Sequence, residues 1–361
     1  MRRKSSKEEF NSKSNVGKII FIFCLFFMLV FVSAVSVTLG SYSITVTEVY
    51  SIILKCLFQS PETTKEIIVC DLRLPRVLMG ILAGICLGIA GSIMQRVLKN
   101  PLASPYTLGI ASSAVFGAVL AIILGAGMIP IIGEYYIIGA AFIFALITSL
   151  FILYLANRMG ATPFGIVVIV VMGIAIMWLF ARLTTLVLYF SEPGAVKVAY
   201  FLMLGDLGRA SRDDLLLTFV ILFVCCLLLL YKSWDFSAIE IRTNKNENQR
   251  KEIKRIRAFL MAIAALLVAT TVSFTGAIPF VGLIAPYIAY KTVGKNNRFL
   301  LIVSALLGAL ILVGADTLAR RIMAPVIFPL GVITSLIGVP LFIYLLIKII
   351  IKSIIHRKNQ K

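Results

Sequence analysis

The sequence predicts an all-α integral membrane protein with about ten transmembrane helices. Hydrophobic residues make up 60% of the 361-residue chain and charged residues only 14%, against about 25% charged residues in soluble domains. The mean hydropathy is +1.02. The apolar residues form separate runs of about 20 residues, which is the length that an α-helix needs to cross a bilayer.

The net charge of +19 is interpreted from where the basic residues lie. They cluster in four segments between or beyond the apolar runs, at residues 1–18, 232–257, 291–298 and 348–361. This distribution is typical of cytoplasmic loops, which carry an excess of Lys and Arg, and it forms no single basic binding face. The sequence therefore predicts cytoplasmic termini, contact with membrane lipid and no nucleic-acid partner.

Taken in order, the apolar runs predict a ten-helix transmembrane domain over residues 19–351, between basic tails at residues 1–18 and 352–361. The predicted helices are 19–39, 77–98, 108–132, 135–156, 164–190, 215–231, two within 258–288, 299–315 and 330–351. The run 258–288 is divided near residues 275–279 because Pro279 lacks the N–H that a helix interior needs. Residues 41–71 and 191–214 are expected outside the cell, and residues 232–257 form a long cytoplasmic loop.

The second predicted helix carries a stripe of glycines, Gly80, Gly84 and Gly88, at every fourth residue. Residues four apart share one face of an α-helix, and glycines on that face let another helix approach to backbone contact. In water each interior glycine would cost a helix about 1 kcal/mol, whereas lipid offers the backbone no competing partners. The stripe therefore predicts a helix packed tightly inside a bundle.

Three blocks of the sequence form a distinctive set. The first contains RLPR at 73–76, the glycine stripe, Gln95, NPLA at 100–103, Pro105 and LG at 108–109. The second is GAIPFVGLIAP at 276–286. The third contains AD at 315–316, AR at 319–320, AP at 324–325, PLGVIT at 329–334 and GVP at 338–340.

Together these blocks resemble, in the same order, the permease subunits of binding-protein-dependent ABC importers for iron–siderophore, haem and cobalamin, the FecCD type of type II importers. The resemblance implies a cobalamin-importer-like permease fold. It also implies three partners, namely cytoplasmic ABC ATPase subunits, an extracytoplasmic substrate-binding protein and a second permease subunit. No cofactor, metal site or catalytic residue is expected in this chain.

The resemblance implies transport of an iron(III)–siderophore-type complex, with cobalamin or haem as the alternative cargo. The chain has no G-x-x-x-x-G-K-[ST] phosphate-binding motif, so ATP hydrolysis is expected in a separate subunit.

Arginines at the positions of Arg73, Arg76 and Arg320 face outward in the resembling family and engage acidic residues of the binding protein. The guanidinium group suits this role because it binds carboxylates through two parallel hydrogen bonds. An alternative stays open for Arg73 and Arg76, which could instead anchor a helix end at the lipid headgroups.

The cytoplasmic loop at residues 232–257 departs from the family, which usually carries two Leu-Gly pairs there in a helical elbow that fits a cleft of the ATPase. Here the glycines are missing and the second half is rich in asparagine, which disfavours a stable helix. Phe236, Ile239, Ile241 and Arg242 remain as anchors. We expect residues 236–242 to contact an ATPase with an altered cleft; a loss of coupling is the alternative.

Three polar residues near a helix end, Gln95, Asn100 and Thr107, have two open roles. They could line the transport pathway, or they could form hydrogen bonds between helices. A charge within an apolar run, Arg182, is expected to face protein or water because a charge at the bilayer centre costs about 2.5–3.5 kcal/mol. Cys56 and Cys70 share a predicted external segment, where they could form a disulfide.

Two functions of a different class remain as alternatives. Asp206 and Asp316 could form an intramembrane aspartyl protease pair that shares a proton, but Asp316 lies four residues before Arg320, which predicts an ion pair on one helix turn. A proton-coupled carrier normally has acidic or histidine relays within its helices. Here Asp316 is nearly alone and lies near a helix end, so the carrier is disfavoured as well.

Overall fold

The computed structural model describes residues 2–40, 42, 44–56, 58–125, 132–159, 162–231, 247–294, 297–322, 324, 326 and 328–358. The regular structure of these residues is helical. In chain order the helices are α1 (Arg2–Thr38), α2 (Val46–Cys56), α3 (Thr64–Ile67), α4 (Leu74–Val97), α5 (Ile110–Ile123), α6 (Ile132–Met159), α7 (Pro163–Tyr189), α8 (Pro193–Leu204), α9 (Arg212–Tyr231), α10 (Glu247–Thr275), α11 (Val281–Val293), α12 (Asn297–Arg321) and α13 (Leu330–Lys358). A π-helical turn, Ile68–Arg73, joins α3 to α4.

Within the described residues, eight helical segments are long and apolar enough to cross a membrane. They correspond to eight of the ten predicted helices. The other two predicted helices are α5 and α11, which are apolar but shorter. The prediction of an all-α integral membrane protein is therefore confirmed, and the number of crossing helices is close to the expected one.

The long apolar run 258–288 is divided where the sequence indicated. Helix α10 ends at Thr275, and Gly276 follows with φ of +72°, a left-handed conformation that glycine adopts without steric cost. Helix α11 then begins at Val281. Pro286 lies inside α11, so this helix tolerates a proline within it.

Helix α8 lies within residues 191–214, where the sequence predicted no helix. Proline and glycine often mark a break in regular structure, but Pro193 is the first residue of α8. Proline fits this position because the first N–H groups of a helix have no intrahelical partner. Gly205, with φ of +75°, follows the last residue of the helix.

Helix α4 lies at the centre of the bundle and packs against α10, α11 and α12. The closest approach is to α12, where a Cβ atom added to Gly84 would lie 2.5 Å from Cα of Ala309, and one added to Gly88 would overlap the carbonyl oxygen of Ser304. Gly80 is less crowded, with Leu207 Cδ1 3.2 Å from the added atom. The glycine stripe thus lies against a neighbouring backbone, as helix pairs with small residues do in membranes.

Candidate functional site

A buried cluster of charges joins the start of α4 to the end of α12. Asp316 accepts hydrogen bonds from Arg76 Nε at 2.9 Å and Arg76 Nη2 at 2.8 Å, and its other oxygen accepts one from Arg320 Nε at 3.0 Å. Asp316 is 1% exposed. Burial of a carboxylate is tolerated when it is paired and fully hydrogen-bonded. The guanidinium groups of Arg76 and Arg320 provide both the opposite charge and the hydrogen bonds.

Two features of the sequence, the spacing of residues on α12 and the packing of α4 against α12, bring these residues together. Asp316 and Arg320 are four residues apart on α12, so they share one helix face. Arg76 comes from the first turn of α4. The close contact of α4 with α12 at Gly84 and Gly88 then brings the first turn of α4 beside the last turns of α12.

The cluster also holds the end of α1. Arg320 donates to the carbonyl of Leu39 at 2.8 Å and to Ser36 Oγ at 2.6 Å. Arg73 donates to the carbonyls of Thr38, at 3.1 Å, and Tyr42. The last carbonyls of a helix have no intrahelical partner and carry partial negative charge. Two of the arginines therefore close α1 onto α4 and α12.

The three arginines with a predicted docking role are thus engaged within the chain. Arg73, Arg76 and Arg320 are between 6% and 8% exposed. Sequence reasoning predicted the pair of Arg320 with Asp316 but missed the internal partners of Arg73 and Arg76. Asp206 adds a second carboxylate, with its Oδ1 3.5 Å from Arg76 Nη2. The three arginines therefore lie beside two carboxylates, so this cluster taken alone carries one more positive than negative charge.

The arrangement disfavours an aspartyl protease pair. Two carboxylates share a proton when no cation neutralises them, but Asp316 is bound by Arg76 and Arg320, and Arg76 also lies beside Asp206. Each carboxylate therefore has an arginine as its partner.

A compact segment, α2 to the π-helical turn, precedes the cluster and falls largely within the residues that the sequence predicts to be external. The structure joins Cys56 and Cys70 in a disulfide, the bond that the sequence left open. Two ion pairs add to it, Lys55 Nζ to Glu66 Oε1 at 2.7 Å and Lys65 Nζ to Glu48 Oε1 at 2.9 Å. The hydrogen bond to Glu66 raises the pKa of Lys55, and the hydrogen bond from Lys65 lowers the pKa of Glu48.

The polar residues near the other end of α4 hold a turn together. Gln95 Nε2 donates to the carbonyl of Leu283 at 3.2 Å, Asn100 Oδ1 accepts from the amide of Leu102 at 2.9 Å, and Thr107 Oγ1 donates to the carbonyl of Leu102 at 2.8 Å. Asn100 and Thr107 are buried. Gln95 thus bonds to another helix, α11, whereas Asn100 and Thr107 bond within their own turn.

A cavity of about 570 Å³ lies between the end of α8, the segment before α11 and the first half of α13. Its lining is mostly apolar, with Met203, Pro279 and Leu336, and it includes the side chains of Tyr106 and Ser335. The cavity was not predicted from the sequence, although Tyr106 and Pro279 lie within the first two sequence blocks.

Backbone hydrogen bonds fix the walls of this cavity where three helices end or begin. The amide of Ala277 donates to the carbonyl of Leu202 at 2.8 Å, the amide of Asp206 to Thr275 at 2.8 Å, and the amide of Leu330 to Gly205 at 3.2 Å. Interrupted helices of this kind surround substrate sites in transporters because irregular backbone is tolerated beside a cavity.

The predicted ATPase contacts Phe236, Ile239, Ile241 and Arg242 lie outside the described residues. Helix α10, which follows them, contributes Arg257, whose Nη1 donates to Asn157 Oδ1 of α6 at 3.2 Å.

Comparison with known proteins gives a consistent result. A sequence model of the FecCD transport family matches residues 28–348. The chain is 37% identical over 338 residues to MJ0087 of Methanocaldococcus jannaschii, described as an ABC transporter permease protein, with 92% of this chain and 95% of that protein covered. It is 33% identical over 330 residues to YfmE of Bacillus subtilis, an Fe(3+)-citrate import system permease protein, with 90% and 94% covered.

Other relatives are a cobalamin import system permease protein of Halobacterium salinarum, 34% identical with 80% of this chain and 75% of that protein covered, and a hemin transport system permease protein of Yersinia pestis, 31% identical with 77% and 82% covered. The fold is similar to a solved structure described as an inward-facing conformation of a metal-chelate type ABC transporter. The TM-score is 0.71 at 26% identity, and the match covers 91% of this chain and 99% of that one.

Proposed function

This chain belongs to the FecCD transport family, and from that premise we propose that it carries an iron(III)–siderophore-type complex into the cytoplasm. Family membership makes it the permease subunit of an ABC importer, a membrane transport component that works with ATPase and binding-protein partners. The observation that carries the cargo proposal is the near full-length similarity to the Fe(3+)-citrate permease. The similarity in fold to a metal-chelate type transporter supports it.

The cavity between α8 and α13 is compatible with this cargo. Its volume of about 570 Å³ lies within the range of small-molecule sites. The lining of apolar side chains with two hydroxyls, Tyr106 and Ser335, suits a complex that encloses its metal and presents an organic exterior. Because the cavity is open on one side, we propose that a second permease subunit completes it.

We propose that the binding protein docks at the end of the bundle that carries Arg73, Arg76 and Arg320. Their internal partners restrict direct contact, so their contribution is a fixed positive potential that attracts acidic side chains. Exposed arginines beside them, Arg209 and Arg321, would then make the first contacts.

For the ATPase, the proposal remains the loop at residues 236–242, with Ile239 and Ile241 as buried contacts. Alternating access would follow from rearrangement of the permease subunits, driven by the ATPase.

The cargo is tested by uptake into cells that depend on this chain. Cells with and without the chain, both with the ATPase and binding protein, are given ⁵⁵Fe as ferric citrate, a ferric hydroxamate or a ferric catecholate, and in parallel labelled cobalamin and haem. Uptake of at least one iron complex should require the chain. Chain-dependent uptake of cobalamin or haem without uptake of any iron complex would identify the alternative cargo and contradict the proposal.

A further inference from the structure

Helix α7 carries an arginine on the centre of its exposed face. The exposed residues of α7 include Val171, Ile174, Trp178, Arg182 and Thr185, and their spacing of three and four residues forms one stripe along the helix. The opposite face packs mainly against α5, with smaller contacts to α6, α8 and α13. Arg182 is thus directed away from the bundle of its own chain.

The guanidinium of Arg182 is held near the middle of the helix. It lies over the ring of Trp178, with Cζ 5.2 Å from the ring centroid. Side chains of an α-helix lean towards its N terminus. Arg182 accordingly leans towards Trp178, one turn further from the C-terminal end of α7, which is the nearer end. Helix α7 has 27 residues, and Trp178 is about 22 Å from its start and about 16 Å from its end. The charge is therefore not extended towards a headgroup layer.

A lipid environment at this depth is unfavourable for an arginine, so the stripe must face water or another polypeptide. A second copy of this chain could not neutralise the charge there. None of the 16 acidic residues lies inside one of the apolar runs given above. Asp316, just beyond one of those runs, is already bound by Arg76 and Arg320. Within the described part of the chain, the partner of Arg182 is the Trp178 ring.

We propose that Arg182 faces a water-filled transport pathway between two permease subunits, where it attracts a cargo with net negative charge. The inference rests on the proposed function and narrows its substrate class to anionic metal complexes, such as those that keep carboxylate or catecholate oxygens charged after they bind the metal. Trp178 positions the guanidinium through a cation–π contact, and the free side of the guanidinium retains its hydrogen-bond donors for the anion.

The local potential is measured with a cysteine reporter one turn from Arg182. Thr185→Cys is made in the complete complex with its ATPase in lipid nanodiscs. It is treated separately with an anionic and a cationic methanethiosulfonate, the sulfonatoethyl and trimethylammonium-ethyl reagents. Mass spectrometry of the peptide containing residue 185 separates its modification from that of the native free thiols, Cys24, Cys86, Cys225 and Cys226.

We expect both reagents to react and the anionic one to be favoured. A unit positive charge about 6 Å away in water attracts the anionic reagent and repels the cationic one. The ratio of the anionic to the cationic reaction rate should then be about tenfold higher at residue 185 than for a free thiol. Arg182→Gln should remove this preference, and Arg182→Lys should retain it. If Thr185→Cys prevents assembly of the complex, Leu186→Cys, which is also exposed, reports on the same region.

Two results would overturn the inference: no reaction with either reagent, or a rate ratio that does not depend on Arg182. Neither result bears on the transport of an iron complex, which uptake by the wild-type chain measures independently. A wild type that imports an iron complex but shows no anion preference at residue 185 contradicts only this inference.

Discussion

Asp316 binds Arg76 through hydrogen bonds of 2.8 and 2.9 Å although the two residues lie 240 positions apart in the chain. The pair ties the first turn of α4 to α12, and Arg320 extends the connection to the end of α1. Asp316, Arg76 and Arg320 therefore join the start of α4, the end of α12 and the end of α1. Asp206, which follows α8, lies beside Arg76 and brings a fourth part of the structure to the same place.

Removal of this carboxylate should destabilise the protein strongly. Asp316→Asn leaves the buried Arg320 without its carboxylate and leaves Arg76 with Asp206 alone, at 3.5 Å, and breaking a buried pair typically costs about 3–5 kcal/mol. The measurement is the thermal unfolding midpoint of the purified complex. Asp71→Asn is the matched control because the Arg212–Asp71 pair is exposed, and an exposed pair contributes about 0–1 kcal/mol. Equal midpoints for the two variants would contradict the role assigned to Asp316.

Charge reversal beside the cluster should weaken docking of the binding protein without loss of stability. Arg321→Glu changes an exposed side chain at the end of α12. Because a charge at the rim of an interface acts mainly on the association rate, we expect slower, more salt-sensitive binding in surface plasmon resonance.

The control for this docking experiment is Arg158→Glu at the end of α6, where the arginine is exposed and lies over the Tyr154 ring. Positive-inside charge bias predicts that this end is cytoplasmic. Binding kinetics that match the wild type in Arg321→Glu, or an equal loss in both variants, would refute docking at the cluster. Reversal of Arg76 itself is unsuitable because a glutamate there would be buried beside Asp316.

A large side chain at Gly84 should separate α4 from α12. The added Cβ atom of Gly84→Leu already conflicts with the backbone of Ala309, and overpacking costs about 1–3 kcal/mol or more. We expect a lower yield of monodisperse protein and a lower unfolding midpoint. Gly314→Leu on α12 is the control, since no heavy atom lies within 4 Å of a Cβ atom added there. Wild-type behaviour of Gly84→Leu would mean that α4 does not pack there as described.

The disulfide between Cys56 and Cys70 should stabilise the segment before α4. The bond joins residues separated by 14 positions, and closure of a loop of this size contributes about 3 kcal/mol in the chain-entropy model. A double Cys56→Ser, Cys70→Ser variant should unfold at a lower temperature and no longer respond to reductant, whereas Cys24→Ser should respond as the wild type does. Insensitivity of the wild type to reductant would show that the disulfide adds nothing to stability.

The sequence predicted the helices well where a single local property decides them. Apolar runs of bilayer length predicted the spanning helices, and Pro279 predicted the division between α10 and α11. Helix α8 was missed because Pro193 and Gly194 favour a turn as readily as a helix start. The ten-residue stretch that follows them is apolar apart from Lys197, which is the signal that could have identified it.

The candidate sites were harder to predict because they depend on contacts distant in sequence. Spacing predicted the pair of Asp316 with Arg320, but no local pattern links either residue to Arg76 or to the carbonyls at the end of α1. The docking role of Arg73, Arg76 and Arg320 came from resemblance alone, and burial of these side chains could not be read from their positions at helix ends. The cavity beside Tyr106 is formed by elements more than 200 residues apart.

The most direct test of the central claim is transport by purified components. The chain, its ATPase and its binding protein are reconstituted in proteoliposomes with ATP on the ATPase side, and ferric siderophore complexes labelled with ⁵⁵Fe are added with the binding protein on the other side. We predict ATP-dependent accumulation of an iron complex inside the vesicles, abolished when the chain is omitted. ATP-dependent accumulation of cobalamin or haem with no accumulation of any iron complex would contradict the account.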